Sequence, residues 1–269
     1  MKLFLLKKNP GPGMSKRMFD KVREVTGVPV EYDNLVTPVD YYDKVMKKMK
    51  TDKAVLGFNV TIPYKVDILD EVEPDEDVSA CGAVNCVRVD HEEEVFYGHN
   101  TDWKGIVKPV EKMAVRSAVI AGAGGAARAA CYAMTKMGVE EIHVFNRTLS
   151  RAEALRKNFP AVKVHKLETI GDYLTQNRTD LLMNTTSLGM NPHPWSCIPV
   201  SAKHLKNVRT VFDIVYKPLK TKLLTFAEEA GCNVVNGLEM LVEQHIENVR
   251  IWGLPEQERI IEVLKSFKR

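Results

Sequence analysis

The sequence predicts an α/β protein with two domains. Short apolar runs alternate with amphipathic helical segments along most of the chain, as they do when helices cover a largely parallel sheet. A glycine-rich turn near the middle joins one apolar run directly to an alanine-rich helical segment. The 269 residues suggest two domains, although one large domain would also fit, and a hydrophobic content of 45% is ample for a core.

Composition excludes several classes of partner. The net charge of +3 is too small to indicate a nucleic acid or a membrane surface, and no apolar run approaches the length that spans a bilayer. Leu3–Leu6 is too short for a signal-peptide core and is predicted to be a strand. The five cysteines, an odd number without a C-x-x-C pair, indicate thiols in a reducing cytoplasm. No metal site is predicted.

The elements before residue 113 follow from apolar periodicity and from capping signals. Ser15 is predicted to cap the first helix, which Gly27 ends, and Thr37-Pro38-Val39-Asp40 is predicted to start the second, which runs to about Lys50. The other elements predicted here are strands over 28–32 and 55–62, a helix over 75–81, a hairpin of 83–89 with 95–99, and a helix from a cap at Thr101 to residue 112.

The elements after residue 116 continue the alternation of strand and helix. A strand over 117–120, the glycine turn, a helix to residue 137 and a strand over 141–145 form one β-α-β unit. The elements that follow are predicted as strands over 162–164, 181–184 and 211–216, a helix over 219–230, a strand over 234–235, a helix over 238–252 and a last helix from residue 255.

The turn Gly122-Ala123-Gly124-Gly125-Ala126-Ala127 matches the G-x-G-x-x-A fingerprint of dinucleotide-binding domains. Gly122 permits the tight turn, Gly124 lets the backbone approach a pyrophosphate, and Ala127 permits close packing of helix on strand. The phosphates would bind the N–H groups at the helix N-terminus. A glycine triplet alone is also compatible with an ordinary turn, but its place between strand and helix favours a Rossmann-type site.

The end of the next strand indicates which dinucleotide is bound. It carries Asn146-Arg147-Thr148, with Arg151 one helical turn further on, where an NAD site usually has Asp or Glu for the ribose hydroxyls. Guanidinium groups without an acid favour a ribose 2′-phosphate, so the predicted cofactor is NADP. The alternative for Arg147 and Arg151 is a solvated helix start.

Four motifs together resemble those of the shikimate dehydrogenase family. They are Gly57-Phe58-Asn59-Val60-Thr61-Ile62-Pro63-Tyr64-Lys65, Gly82-Ala83-Val84-Asn85, Asn100-Thr101-Asp102, and the glycine turn with Asn146-Arg147-Thr148. Asp213-Ile214-Val215-Tyr216 and the segment from Gly237 to Gln244 extend the resemblance to the C-terminal part.

The resemblance implies a substrate-binding domain of residues 1–101 with 239–269, and a Rossmann-type NADP-binding domain of residues 102–238. The C-terminal helices would return to the first domain, and the active site would lie between the two. The implied reaction is the reversible reduction of 3-dehydroshikimate to shikimate in aromatic amino-acid synthesis. A monomer or a homodimer in the cytoplasm would carry it out.

The resemblance also implies roles for individual residues. Lys65 and Asp102 correspond to the catalytic pair that exchanges the proton of the substrate hydroxyl. The implied substrate-binding residues are Ser15, Thr61, Asn85, Tyr216 and Gln244, together with Asp102, while Asn59 is expected to brace the turn. The implied cofactor-binding residues are Gly122, Ala123, Gly124, Gly125, Ala126, Asn146, Arg147, Thr148, Arg151, Ile214, Gly237 and Met240.

Two departures from the family pattern leave alternatives open. Gly13 replaces the first serine of the Ser-x-Ser motif that binds the substrate carboxylate in the family, leaving one hydroxyl at Ser15. Trp103 replaces the glycine that usually follows Asn-Thr-Asp. A quinate/shikimate dehydrogenase or a paralogue for an amino-substituted substrate is one alternative. An NADP-binding sensor without catalysis is another. Methylenetetrahydrofolate dehydrogenase, which has a similar two-domain plan, is a third that the polyol-binding motifs disfavour.

Overall fold

The computed structural model describes residues 1–8, 13–37 and 42–268, which form two compact units. The first unit comprises residues 1–101 and 244–269, and the second comprises residues 102–243. The sequence analysis assigned residues 239–243 to the first domain, whereas here they belong to the second unit. The start of the predicted second helix at Pro38, Val39 and Asp40 lies outside the described residues.

The first unit is built on a mixed sheet with the strand order β2-β1-β3-β5-β6-β4. β1 pairs in parallel with β2 and β3, and the β5–β6 hairpin continues the sheet in antiparallel fashion. Its elements up to residue 101 are β1 (Lys2–Lys7), α1 (Met14–Thr26), β2 (Glu31–Val36), α2 (Tyr42–Thr51), β3 (Val55–Val60), β4 (Glu73–Pro74), α3 (Glu76–Cys81), β5 (Cys86–Asp90) and β6 (Val95–His99).

The second unit has a fully parallel sheet with the order β12-β11-β10-β7-β8-β9, the Rossmann arrangement. Its elements are α4 (Asp102–Val110), β7 (Ser117–Ala121), α5 (Gly125–Lys136), β8 (Glu141–Asn146), α6 (Leu149–Glu153), β9 (Lys163–Lys166), α7 (Ile170–Gln176), β10 (Thr179–Asn184), β11 (Val208–Asp213), α8 (Lys222–Glu229) and β12 (Asn233–Asn236). The predicted α/β fold with a Rossmann-type second domain is confirmed.

Two helices complete the described chain. α9 spans Gly237–Ile251, so its last part, from Gln244 onward, belongs to the first unit, and α10 (Gln257–Lys265) follows there. Trp252, just after α9, lies against the backbone of Gly57 in β3, where an added Cβ would come within 2.3 Å of the indole nitrogen. That nitrogen donates to the Val87 carbonyl at 2.9 Å, which fixes the C-terminal segment on the first sheet.

Each unit has its own hydrophobic core. In the first, Leu6, Phe58 and Phe96 are fully or almost fully buried. In the second, Val119, Phe145 and Leu182 are buried to the same degree between the sheet and its helices. Each large apolar side chain buried in this way contributes about 1.5–3 kcal/mol. None of the helices in the described ranges combines the length and the apolar character needed to cross a bilayer.

Two predicted strands are displaced, for local reasons. β2 begins at Glu31 instead of Val28, because Pro29 has no N–H to give to a ladder. Val28 and Val30 are nevertheless buried, which explains the strand-like pattern. β11 ends at Asp213 instead of Tyr216, because the Asp213 carboxylate accepts the Val215 N–H at 3.1 Å and turns the chain.

Candidate active site

The turn after β3 carries two of the predicted site residues, Thr61 and Lys65, both half-buried. The N–H of Thr61 donates to the Leu6 carbonyl at 3.1 Å, and its carbonyl accepts the Tyr64 N–H at 2.9 Å. The Lys65 carbonyl accepts the Val84 N–H at 2.7 Å. The backbone of the turn is thus tied to β1 and to the segment before β5, which holds both side chains at the carboxyl end of β3.

Asn85 is bonded to a second predicted substrate-binding residue, Gln244, and to Thr101, both from distant parts of the chain. It is 1% exposed, and its Nδ2 donates to Gln244 Oε1 at 2.7 Å. The same nitrogen donates to Thr101 Oγ1 at 2.9 Å, and Asn85 Oδ1 accepts the Thr101 N–H at 2.6 Å. The loop before β5, the residue that precedes α4 and helix α9 therefore meet at one amide.

The side chain of Asn59 connects Tyr32 to the backbone of Asn85. Its Oδ1 accepts the Tyr32 hydroxyl at 2.9 Å, and its Nδ2 donates to the Asn85 carbonyl at 2.9 Å. The side chain is 4% exposed. Both ends of the amide are therefore engaged by the protein, which agrees with a bracing role.

Ser15 does not cap α1, so that part of the sequence analysis was wrong. Gly13 is the N-cap residue, with the extended angles φ −79° and ψ 152°, and the helix begins at Met14. Ser15 is therefore the second helical residue, and its hydroxyl, in a side chain only 5% exposed, lies 2.8 Å from His245 Nε2. Its position in the first turn still places it among the amide N–H groups that favour an anion.

The glycine turn of the second unit has the form that a dinucleotide needs. Gly122 has φ +118°, and a Cβ there would come within 2.5 Å of Thr185 Oγ1, so only glycine fits. Gly124 is the N-cap of α5, and a Cβ built on it meets no atom within 4 Å. The backbone at this helix start is therefore open, and it fits a pyrophosphate on the amides of Gly124, Gly125 and Ala126. Ala123 lies in the same turn.

The residues after β8 present two guanidinium groups. Asn146 ends the strand, and its Nδ2 donates to the Thr148 carbonyl at 2.7 Å. Arg147, Thr148 and Arg151 are exposed. β8 is the parallel neighbour of β7, so these residues and the glycine turn follow the same edge of the sheet. This arrangement of cations fits the 2′-phosphate of NADP.

The carboxyl end of β11 is organised by Asp213, a residue that the sequence analysis did not assign to the site. Besides the Val215 N–H, its carboxylate accepts Asn184 Nδ2 at 2.9 Å and the Thr221 hydroxyl at 2.6 Å. Burial raises the pKa of Asp213 to about 6, although these donors favour the charged form. Tyr216 follows as a half-buried side chain, and burial also raises the pKa of its phenol.

Three predicted cofactor-binding residues lie close to this strand end. The backbone of Gly237 packs so tightly on Ile214 that a Cβ would come within 2.0 Å of the Ile214 carbonyl oxygen. The Gly237 N–H donates to the Val215 carbonyl at 3.3 Å. Met240, one turn further along α9, is 7% exposed. Glycine at position 237 thus allows α9 to start directly beside residues 214 and 215.

The predicted catalytic residues belong to different units. Lys65 lies in the first, whereas Asp102 is the first residue of α4 in the second and is 1% exposed. Their pairing therefore stays a prediction. Trp103, next to Asp102, packs edge-on against Tyr132 of α5, with ring centroids 5.5 Å apart.

Sequence reasoning missed two buried polar residues of α9. His245 is 1% exposed and Asn248 is fully buried. They lie three positions apart on a helix that was interpreted as apolar, and His245 follows Gln244 directly, which was the available signal. Over residues 1–8, 13–37 and 42–268, no group of three or more His, Cys, Asp and Glu side chains is arranged to hold a metal ion.

Comparison with known proteins identifies the family. Residues 11–87 match the family model described as the shikimate dehydrogenase substrate binding domain, and residues 106–191 match shikimate / quinate 5-dehydrogenase. A shikimate dehydrogenase (NADP(+)) of Caldicellulosiruptor saccharolyticus is 36% identical, with 100% of this chain and 99% of that protein covered.

Solved structures agree with this likeness. The crystal structure of shikimate dehydrogenase from Thermotoga maritima matches with a TM-score of 0.87 at 35% identity, over 100% of both chains. The Thermus thermophilus shikimate 5-dehydrogenase in complex with NADP(H) and shikimate matches with a TM-score of 0.82 at 28% identity, over 99% of both chains. Likeness at this level along the full length means that the chain belongs to the shikimate dehydrogenase family.

Proposed function

We propose that this protein is an NADP-dependent shikimate dehydrogenase, which reversibly reduces 3-dehydroshikimate to shikimate. The observation that carries the proposal is the direct bond between Asn85 and Gln244, two residues 159 positions apart that were each expected to bind a polyol. The relatives named for this activity with NADP provide independent support.

In this proposal the two units divide the work of binding. The first unit holds the substrate through Ser15, Thr61, Asn85 and Gln244, and Tyr216 of the second unit also contacts it. Hydroxyls and amides suit a polyhydroxylated ring, because each can donate or accept a hydrogen bond. The second unit holds NADP through its glycine turn, through Asn146-Arg147-Thr148 with Arg151, and through Ile214, Gly237 and Met240.

Lys65 and Asp102 exchange the proton of the reacting hydroxyl. When bound, the nicotinamide supplies or accepts the hydride. Lys65 donates a proton from its ammonium to the carbonyl oxygen during reduction, and its neutral amine accepts the hydroxyl proton during oxidation. Asp102, buried at the start of α4, orients that ammonium and the substrate hydroxyl.

The test is oxidation of NADPH by the purified protein in the presence of 3-dehydroshikimate, followed by absorbance. Lys65→Met should lower kcat by about 10²–10⁴-fold, the usual contribution of a positioned acid–base group. Lys53→Met, at an exposed lysine of the same unit, is the matched control and should keep the wild-type rate. A wild-type protein no faster than Lys65→Met would refute the proposed activity.

Quinate is a second candidate substrate, because residues 106–191 match a family described as shikimate / quinate 5-dehydrogenase. Gly13 and Trp103 are the positions at which this chain departs from the family pattern. A panel that measures kcat/KM for shikimate and quinate with NADP and NAD decides between the two. A higher value for quinate would replace shikimate in the proposal.

We further infer a cytoplasmic enzyme that acts as a monomer or homodimer on small molecules, without nucleic acid or membrane partners. The partly buried thiols of Cys197 and Cys232 support a reducing compartment.

Light scattering after gel filtration tests the oligomeric state. It should give the mass of one or two chains, and a larger mass would contradict the monomer or homodimer. A fluorescent fusion found outside the cytoplasm would contradict the location.

A further inference from the structure

A relay of hydrogen bonds runs through the first unit from Asn85 to Ser15, and its direction can be assigned. The starting point is the backbone N–H of Thr101, which can only donate, and which Asn85 Oδ1 accepts at 2.6 Å. The other end of the Asn85 amide is therefore the NH₂ group. It donates to Thr101 Oγ1 at 2.9 Å and to Gln244 Oε1 at 2.7 Å.

The next two steps follow from the first. Thr101 Oγ1, having accepted from Asn85, donates its hydrogen to Asn248 Oδ1 at 2.7 Å, a much shorter contact than the 3.3 Å to its other acceptor, Asn85 Oδ1. The Asn248 amide then turns its NH₂ group toward His245, with Nδ2 lying 3.2 Å from His245 Nδ1. Because Nδ1 accepts this bond, the hydrogen of the neutral imidazole is on Nε2.

The relay ends on the Ser15 hydroxyl. His245 Nε2 donates to Ser15 Oγ at 2.8 Å, so the hydroxyl hydrogen of Ser15 is left to donate elsewhere. The imidazole is enclosed by the rings of Phe19 and Tyr32, whose centroids lie 5.4 and 6.1 Å away, both nearly perpendicular to it. Burial lowers the pKa of His245 to about 3, which keeps the ring neutral near physiological pH.

We propose that His245 and Asn248 are positioning residues that hold the Ser15 hydroxyl as a hydrogen-bond donor to the carboxylate of the substrate. The same relay makes Gln244 a donor, since its Oε1 already accepts from Asn85. A carboxylate accepts and never donates, so a hydroxyl fixed as a donor selects for it. This inference rests on the proposed function for the identity of the ligand, but the relay can be tested without it.

The first test reads the tautomer directly by ¹⁵N NMR of the imidazoles in the full-length protein without ligand. His245→Gln, which removes one imidazole, assigns the His245 signals. The relay requires a neutral ring with the hydrogen on Nε2 from pH 6 to pH 8. A hydrogen on Nδ1, or on both nitrogens, would overturn the proposal whether or not the protein turns over shikimate.

The second test is a double-mutant cycle on Ser15→Ala and His245→Leu, read by oxidation of shikimate. His245→Leu should raise the KM for shikimate about 10–100-fold, the range for a lost charge-assisted hydrogen bond, and should leave kcat and the KM for NADP within about twofold. In the Ser15→Ala background it should add no more than about twofold. An equal loss in both backgrounds would indicate a purely structural role and refute the proposal.

His245→Gln supplies the conservative control, because its amide nitrogen can still donate to Ser15. It should recover most of the wild-type KM, and a loss equal to that of His245→Leu would count against the relay. If His245→Leu does not fold, the tautomer of His245 and the KM of His245→Gln for shikimate still test the proposal. A wild-type protein inactive on shikimate with the hydrogen on Nε2 would refute the proposed function and leave the relay standing.

Discussion

Two glycines at the cofactor end of the second unit should respond in opposite ways to the same added methyl group. In Gly237→Ala the new Cβ would lie 2.0 Å from the Ile214 carbonyl oxygen and 2.9 Å from the Val215 carbonyl carbon. Both are backbone atoms, so the clash cannot be relieved by the rotation of a side chain. Either α9 or the end of β11 must move by roughly 1 Å or more to restore an ordinary van der Waals distance. Overpacking of this kind costs about 3 kcal/mol.

The matched substitution is Gly124→Ala. Its Cβ meets no protein atom within 4 Å, and the angles φ −93° and ψ −168° suit alanine. The change in unfolding free energy should stay within about 1 kcal/mol, because a weaker N-cap is offset by a less flexible unfolded chain. The methyl group would instead occupy the space expected for the pyrophosphate, so the Kd for NADP should rise by about tenfold or more.

Thermal unfolding and calorimetric titration with NADP separate the two effects. Gly237→Ala should lower the Tm by roughly 6–12 °C, the equivalent of about 3 kcal/mol for a chain of this size. Gly124→Ala should leave the Tm nearly unchanged and weaken NADP binding. A stable Gly237→Ala, or a Gly124→Ala that binds NADP like the wild type, would refute the corresponding half of the reasoning.

Two further predictions concern the same unit. His143 is 6% exposed, and its burial, with His165 and Lys163 nearby, lowers its pKa to about 4, well below the usual 6.5. As the pH falls, the unfolded chain therefore binds this proton before the folded protein does, so about 2 kcal/mol of the unfolding free energy should be lost between pH 7 and pH 5. In urea unfolding, His143→Gln should lose less stability than the wild type over that range. An equal loss of unfolding free energy in the two proteins would contradict this. Arg147→Ala should raise the KM for NADP about 10–100-fold and leave the KM for NAD unchanged. The control is Arg23→Ala, at another exposed arginine, which should change neither KM. Equal effects of Arg147→Ala on both cofactors would show that Arg147 does not bind the 2′-phosphate.

The sequence predicted best those parts whose signals are local. The strand, glycine turn and helix around Gly122 and Gly124 could be predicted because special backbone angles and tight packing require particular residues there. The C-terminal glycine of α1 was equally clear, and Gly27 does have a positive φ of 74°. The helix predicted over 75–81 is a similar case, and the Asp75 side chain does accept the Val78 N–H at the start of α3.

The failures came from contacts between residues far apart in the chain. Ser15 has the residue type of an N-cap, but its hydroxyl bonds to His245, 230 positions later. The end of β11 depended on the Asp213 side chain, which satisfies a backbone N–H and stops the strand three residues before its predicted end at Tyr216. The polar relay of α9 was not predicted because buried histidine and asparagine have meaning only through their partners.

The position of Trp252 over Gly57 has a consequence for synthesis. The second unit is one uninterrupted stretch of chain, and its parallel sheet can be completed as soon as β12, which ends at Asn236, leaves the ribosome. The first unit begins earlier but closes later, because Trp252, whose indole covers β3 and bonds to Val87, is translated after the whole of the second unit. Until then its nascent sheet leaves an apolar surface uncovered, which is where a chaperone would be expected to bind.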